Sequence, residues 1–397
     1  MKRIISIALI LLLVFAIPTN IYAESGIKNE AESFGSIYKA DVSLKNKYKS
    51  VYLCEASTGK VLYADKEYEA SSPASVTKVM TLLLVCEALD QGRIALNEMV
   101  TISANAASMG GSQVFLEEGE RISVEELIKA AVIASGNDAS VALAELCAGS
   151  EAAFVNQMNQ RAKELGLKNT HFENPTGLDD TTTEHYSCSA DIAKMSRELI
   201  SHEIILKYSS IWQDTIRNGE FTLTNTNRLV RYYDGCNGLK TGSTDKAGYC
   251  VSATAKRGNM QLIAVVMGAE SRDDRNQIAR ELLDFGFANY ALFERGEEYI
   301  EEADVLGGKS DFVQLFSSPY SCVVEKSMLK KVEMIYDIPR DLHAPIKSGQ
   351  SIGRVIYKVG EDQIGFSEIY SKDDVESIKI GDLFGRIFMR IICGKIS

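Results

Sequence analysis

Apolar and polar positions divide this chain into blocks of different period. The segments V-Y-L-C-E-A and K-V-L-Y-A flank Ser57-Thr58-Gly59, which predicts a β-hairpin with glycine in its turn. After Ser72-Pro73-Ala74, the run T-L-L-L-V-C-E-A-L is apolar on nearly every side. It predicts a buried helix from about Ser75 to Asp90 that Gly92 ends. Ser123 and Glu126 have capping-box spacing at the start of a second helical block, E-L-I-K-A-A-V-I-A. That block breaks at Ser135-Gly136-Asn137 and resumes as D-A-S-V-A-L-A-E-L-C-A. Further helices are expected around 151–165, 189–201 and 272–286. Two apolar strands, 248–255 and 260–268, are joined through Lys256-Arg257-Gly258-Asn259 as an antiparallel hairpin. A hairpin with helices before and after it predicts an α+β domain, its largely antiparallel sheet flanked by helices.

The texture changes at R-G-E-E-Y-I-E-E-A-D, around Glu294 to Gly308. From there to about Ser377, short β-rich segments alternate with turn signals such as Gly349, Gly353 and Gly360, which predicts a small all-β domain. The last stretch, D-L-F-G-R-I-F-M-R-I-I-C-G-K-I-S, differs again. On a helix, Leu383, Phe384, Ile387, Phe388, Ile391 and Ile392 fill one half of the wheel, and Arg386 and Arg390 share the other. Such a helix suits a membrane interface and is too short to span; the alternative is a terminal helix docked on its own domain. The expected layout is a leader over 1–23, a first domain over 24–292, a β-rich domain over 293–378 and an amphipathic helix over 379–397.

The leader is read from Lys2 and Arg3, an apolar run from Ile4 to Ile17, and a polar stretch ending at Ala23. That is the pattern of a cleaved secretory signal, although Ile21 at the minus-three position is atypical. Loss of Lys2 and Arg3 takes the formal net charge from -11 to -13. An acidic chain of this kind is not a general nucleic-acid binder. Eight cysteines remain after cleavage: Cys54, Cys86, Cys147, Cys188, Cys236, Cys250, Cys322 and Cys393. An even count in an exported chain invites disulfides. The wide spacings, and the buried helical faces expected for Cys86 and Cys147, favour mostly free thiols instead. The four histidines are scattered and HExxH is absent, so neither a metal site nor a cofactor is expected.

Candidate chemistry begins at S-P-A-S-V-T-K-V-M-T. Ser-x-x-Lys spacing occurs six times, starting at Ser25, Ser36, Ser57, Ser75, Ser243 and Ser327, so the spacing alone says little. Ser75 differs because it opens a buried helix, on which residues three apart share a face. The helix start also supplies unpaired N–H groups and a positive dipole end. Those groups can hold an oxyanion, and Lys78 can take the serine proton if its pKa is lowered. The plain alternative is a helix cap with Lys78 in solvent. Ser-x-Asn occurs at Ser103-Ala104-Asn105 and at Ser135-Gly136-Asn137; the second sits at a break between packed helices. Lys240-Thr241-Gly242 occurs once, ahead of the hairpin. There, a sheet edge could present a cation, a hydroxyl and a close backbone approach to an extended peptide.

SxxK, SxN and KTG in this order resemble the low-molecular-mass penicillin-binding D-alanyl-D-alanine carboxypeptidases of the serine peptidase type. A-S-V-T-K-V-M-T, I-A-S-G-N-D-A, F-E-N-P-T-G-L and G-L-K-T-G-S-T-D-K-A-G-Y-C carry the resemblance across most of residues 45–290. The resemblance implies a penicillin-binding, β-lactamase-like transpeptidase fold, with the β domain and tail as its usual C-terminal architecture. It implies Ser75 as nucleophile toward the terminal D-Ala-D-Ala of a peptidoglycan pentapeptide, Lys78 as base and Ser135 as proton relay. Asn137 would orient the substrate amide, and Lys240 and Thr241 with Gly242 would line the carboxylate end. Arg275 would bind that carboxylate, with Arg272 as rival, and the amides of Ser75 and Ser243 would form the oxyanion hole. β-Lactams would acylate Ser75, and the protein would work at the outer face of the bacterial cytoplasmic membrane. Two rival readings are a β-lactamase, for which Glu173-Asn174 is a poor match to a deacylating glutamate loop, and a non-catalytic membrane-docked wall-binding protein.

Overall fold

The computed structural model describes residues 44–180 and 182–385. The segment expected as a leader and most of the amphipathic tail, Cys393 included, lie outside the described residues. The first hairpin forms as expected, from β1 (Ser50–Glu55) and β2 (Val61–Asp65). Three further strands complete an antiparallel sheet: β3 (Cys236–Thr244), β4 (Gly248–Arg257) and β5 (Met260–Ala269). Their order is β2-β1-β5-β4-β3, so the strand carrying Lys240-Thr241-Gly242 forms an edge.

Both faces of this sheet are covered, which explains the unbroken apolar run in β5. Ile263, Val265 and Met267 face one core, whereas Leu262, Ala264 and Val266 face another. The second core is closed by a long helix, Arg272–Asn289, through Ile278, Leu282 and Leu283. The first is built by α1 (Lys78–Asp90), α2 (Val124–Ile133), α3 (Asn137–Ala148) and a helix at Ser189–Ile200. The capping box of Ser123 and Glu126 is present at the start of α2. From Lys78 to Cys86 helix α1 has no solvent face, every residue there being buried, as the absence of polar periodicity predicts.

A third, separate core gathers Val305, Val313, Leu315, Leu342, Ile346, Val355, Tyr357, Ile369 and Val375. Around it lies a six-stranded sheet in the order 332–337, 351–359, 362–371, 312–317, 298–306 and 342–343. A separate two-stranded ribbon pairs Tyr290–Arg295 with Tyr320–Glu325. This is the all-β part expected from the sequence.

The cysteines among the described residues are free. Cys54, Cys86, Cys188 and Cys250 are buried, but Cys147, near the end of α3, is only half-buried, contrary to expectation. Burial pushes the thiols of Cys54, Cys86 and Cys188 up to about 12 and that of Cys250 to about 11, so they act as small hydrophobes.

Candidate active site

Ser75 stands on a tight 3₁₀ turn, Ala74–Thr77, and the α-helix proper begins only at Lys78. The expected α-helical start at Ser75 is therefore replaced by a narrower one, entered through Ala74 in the left-handed region (φ 47°). The difference has a use. In a 3₁₀ turn residues i and i+3 eclipse one another, so Lys78 sits directly beside Ser75. Its Nζ lies 3.0 Å from Ser75 Oγ, 2.6 Å from Asn137 Oδ1 and 2.8 Å from the Thr176 carbonyl.

Lys78 is completely buried. Burial, and then the positive charge of Lys240, push its pKa well below the ordinary lysine range; Asp138 opposes the shift. A neutral amine has two N–H donors and one lone pair. The three contacts fit it: N–H to the Asn137 amide oxygen, N–H to the Thr176 carbonyl, and a lone pair facing the Ser75 hydroxyl.

The break between α2 and α3 supplies the second group. Ser135 adopts φ 64°, an unusual conformation for a residue with a side chain, and is buried. Its Oγ accepts a hydrogen bond from Lys240 Nζ at 2.9 Å. Asn137 is held by its own amide, which donates to Ser112 O, and by Nδ2, which donates to Gly110 O at 2.7 Å. Asp138, behind it, accepts from the amides of Val114, Leu116 and Ala139. Ser103-Ala104-Asn105, the other Ser-x-Asn, only caps a short helix and binds Glu145 and Glu151 at the surface.

Edge strand β3 closes the third side. Lys240 is buried and also donates to the Thr241 carbonyl at 2.9 Å; burial and then Arg275 lower its pKa to about 7. Thr241 Oγ1 donates to Thr226 Oγ1 at 2.8 Å. At Gly242 a Cβ would stand 2.7 Å from Ser75 N, 2.8 Å from Pro73 O and 2.8 Å from Val76 N. Only glycine lets the strand, with exposed Ser243 next along it, lie against the Ser75 amide. Between the two rival arginines the structure separates sharply. Arg272 is exposed, whereas Arg275 is buried with Nη1 3.5 Å from the carbonyl of Cys250, the residue paired with Gly242. Burial and then Arg272 pull Arg275 down to about 10. Lys78, Lys240 and Arg275 are thus three buried basic groups influencing one another in sequence, a setting suited to an anionic group.

Several contributors escaped the sequence reading. The loop at Glu173–Asp179 supports the serine turn through contacts that its sequence does not signal. Pro175 O accepts from Thr81, and Asn174 Oδ1 accepts from the amides of Thr176 and Gly177, which fixes the carbonyl that Lys78 meets. Gly177 has φ 83°, and a Cβ there would stand 1.8 Å from Ala74 O. Asp179 Oδ2 accepts from both Ser72 Oγ (2.8 Å) and Thr244 Oγ1 (2.6 Å), tying the serine turn to the far end of β3. His185, unassigned from sequence, is buried beneath the turn. Its Nδ1 accepts from the Glu173 amide, so the neutral ring carries its proton on Nε2, 2.8 Å from Thr77 Oγ1. Burial lowers its pKa to about 4. Glu173 itself turns to the amides of Thr183 and Glu184, not to Ser75.

Comparison with known proteins agrees with this layout. Residues 39–271 match the D-alanyl-D-alanine carboxypeptidase family, and residues 287–377 match the C-terminal domain of penicillin-binding protein 5. The chain is 42% identical over 384 residues to D-alanyl-D-alanine carboxypeptidase DacF of Bacillus subtilis, covering 95% of each. Penicillin-binding protein 5 from Haemophilus influenzae superposes with a TM-score of 0.74 at 33% identity, over 84% of this chain and 98% of that one. The ampicillin-bound form of penicillin-binding protein D2 from Listeria monocytogenes gives 0.57 at 31% identity, over 62% of this chain and 99% of that one. A serine turn, a Ser-Gly-Asn break and a Lys-Thr-Gly edge strand brought together in one chain of this descent leave a single assignment: the protein belongs to the D-alanyl-D-alanine carboxypeptidase family.

Proposed function

We propose that this protein is a serine D-Ala-D-Ala carboxypeptidase that trims the terminal D-alanine from peptidoglycan stem pentapeptides. The observation that carries the reading is the buried Lys78 amine, two of its three contacts being fixed acceptors and the third the Ser75 hydroxyl. Ser75 gives its proton to Lys78 as Oγ attacks the carbonyl carbon between the two D-alanines. The oxyanion is met by backbone N–H groups at the Ser75 turn and at Ser243, worth roughly 3–4 kcal/mol per donor in such sites. The C–N bond breaks, and the leaving amine takes a proton through Ser135, whose Oγ already lies against Lys240. Water then attacks the ester, the C–O bond breaks, and the proton returns to Ser75. Lys240, Thr241 and Arg275 hold the terminal carboxylate, and Asn137 positions the peptide amide. β-Lactams acylate the same oxygen. Glu173, engaged with Thr183 and Glu184, gives no support to a β-lactamase.

The site of action is read from the two ends of the chain. We infer a position at the outer face of the cytoplasmic membrane, held peripherally, from the expected export signal over 1–23 and the expected amphipathic helix over 379–397. In support, a helical turn over 380–385 leads toward the tail with Ile380, Leu383 and Phe384 exposed. D-alanine release from diacetyl-lysyl-D-alanyl-D-alanine by wild type and Ser75→Ala tests the activity. Release by the variant at the wild-type rate refutes it. Deletion of residues 379–397 tests the anchor: the expected result is release from membranes with activity kept.

A further inference from the structure

The two halves of the expected oxyanion hole come from segments far apart in the chain. Ser75 lies on the 3₁₀ turn, and Ser243 lies on β3, an edge strand whose ladder runs to β4. Among the described residues no ladder joins this strand to the turn; they meet at Gly242, where backbone packs on backbone. A carboxylate spans the seam. Asp179 Oδ2 accepts from Ser72 Oγ at 2.8 Å and from Thr244 Oγ1 at 2.6 Å. Ser72 stands three residues before Ser75, and Thr244 directly follows Ser243, so the two bonds bracket the two amides. Ser72 is buried, and Asp179 and Thr244 are half-buried. Thr244 Oγ1 accepts in turn from the Ala247 amide at 3.0 Å, which leaves its proton for Asp179.

The loop that carries Asp179 is fixed from within. Asn174 Oδ1 accepts from the amides of Thr176 and Gly177, Asn174 Nδ2 donates to Leu178 O, and Leu178 N donates to Thr176 Oγ1. The same loop sets the Thr176 carbonyl 2.8 Å from Lys78 Nζ. It therefore meets the base at one residue and the seam three residues later. Resting on the carboxypeptidase reading above, we propose that Asp179 is a positioning residue whose carboxylate clasps the serine turn to the end of β3. The clasp sets the separation of the Ser75 and Ser243 amides. Its bonds go to hydroxyls outside the reacting atoms, so it acts through the two segments it joins. An ionised acceptor makes these bonds stronger than a neutral one would. Two consequences set a clasp apart from a contact that only stabilises the fold. The oxyanion forms only as the reaction proceeds, so a widened hole lowers kcat and kcat/KM together and leaves KM in place. Both arms are needed at once, so cutting the second after the first costs little more.

The full chain tests this through D-alanine release from diacetyl-lysyl-D-alanyl-D-alanine and acylation by labelled penicillin. Asp179→Ala should lower kcat and the acylation rate at least about tenfold, with KM within about threefold of wild type. Asp179→Asn keeps an oxygen able to accept from both hydroxyls, and should recover kcat to within about threefold of wild type. Ser72→Ala and Thr244→Val each cut one arm and leave the loop intact, so they read the clasp even where Asp179→Ala fails to fold. Each should lower kcat about tenfold, and the double variant should match either single one. Unchanged kcat in Asp179→Ala, or in both single-arm variants, overturns the proposal. Losses that multiply in the double variant overturn it too, as does a raised KM with kcat kept. If wild type releases D-alanine and the variants match it, the clasp alone falls. If wild type releases none, the carboxypeptidase reading falls and takes the clasp with it.

Discussion

Gly242→Ala gives the sharpest test of how the site is assembled. The added carbon would stand 2.7–2.8 Å from three backbone atoms, Ser75 N, Pro73 O and Val76 N. None of these can rotate away as a side-chain tip can. Reaching an ordinary contact of about 3.4 Å requires the strand and the serine turn to part by about 0.7 Å. Overpacking of this degree costs ~1–3 kcal/mol of stability, a few degrees in Tm. The catalytic cost is larger, because the movement separates the Ser75 amide from the strand bearing Ser243. Loss of one oxyanion donor, or a misplacement approaching 1 Å, each lowers the rate by roughly 10²-fold or more. We therefore expect Gly242→Ala to fold, to melt slightly earlier, and to lose about 10² in kcat and in the rate of acylation by labelled penicillin. Gly296→Ala, where a Cβ meets nothing within 4 Å, is the control and should be silent. Acylation by Gly242→Ala within about threefold of wild type would show that close packing of the strand on the turn does not set the geometry.

Other expectations follow from the buried charges. Asp138 raises the pKa of Lys78 against the effect of burial, so Asp138→Asn should move the acid limb of the kcat profile to lower pH. It should also lower Tm, because the amides of Val114 and Leu116 lose a charged acceptor. Lys240 titrates at about 7 because of burial and Arg275, so kcat/KM for a carboxylate-bearing peptide should fall as the pH rises through about 7. Arg275→Gln should shift that alkaline limb upward while raising KM, measured from D-alanine release against pH. His185 is lowered to about 4 by burial, below the ordinary imidazole value near 6.5. The unfolded chain then binds the extra proton between these values, so stability is full above about 6.5 and falls as the pH drops toward 4. In His185→Gln, Tm should lose that dependence between pH 7 and 5.

Local pattern carried much of the fold. The all-round apolar run of α1, the Ser123 capping box, the break at Ser135-Gly136-Asn137 and the hairpin of β4 and β5 are written in contiguous residues, because helix and strand periods are local properties. The order of SxxK, SxN and KTG pointed to one family although each spacing was weak alone. Pattern could not show that Ser75 begins on a 3₁₀ turn, which depends on Ala74 in a left-handed conformation packed against Gly177. Nor could it choose between Arg272 and Arg275, three positions apart on one helix, since only the helix's seat against the sheet buries the second. The carbonyl of Thr176 has no sequence signature at all; any residue offers one. Its place beside Lys78, 98 positions away, comes from a loop folded under the turn. Chain order sets which side-chain types are available and in what succession. The tertiary structure decided their charge states and contacts, because burial, neighbouring cations and fixed acceptors exist only once distant segments are packed together.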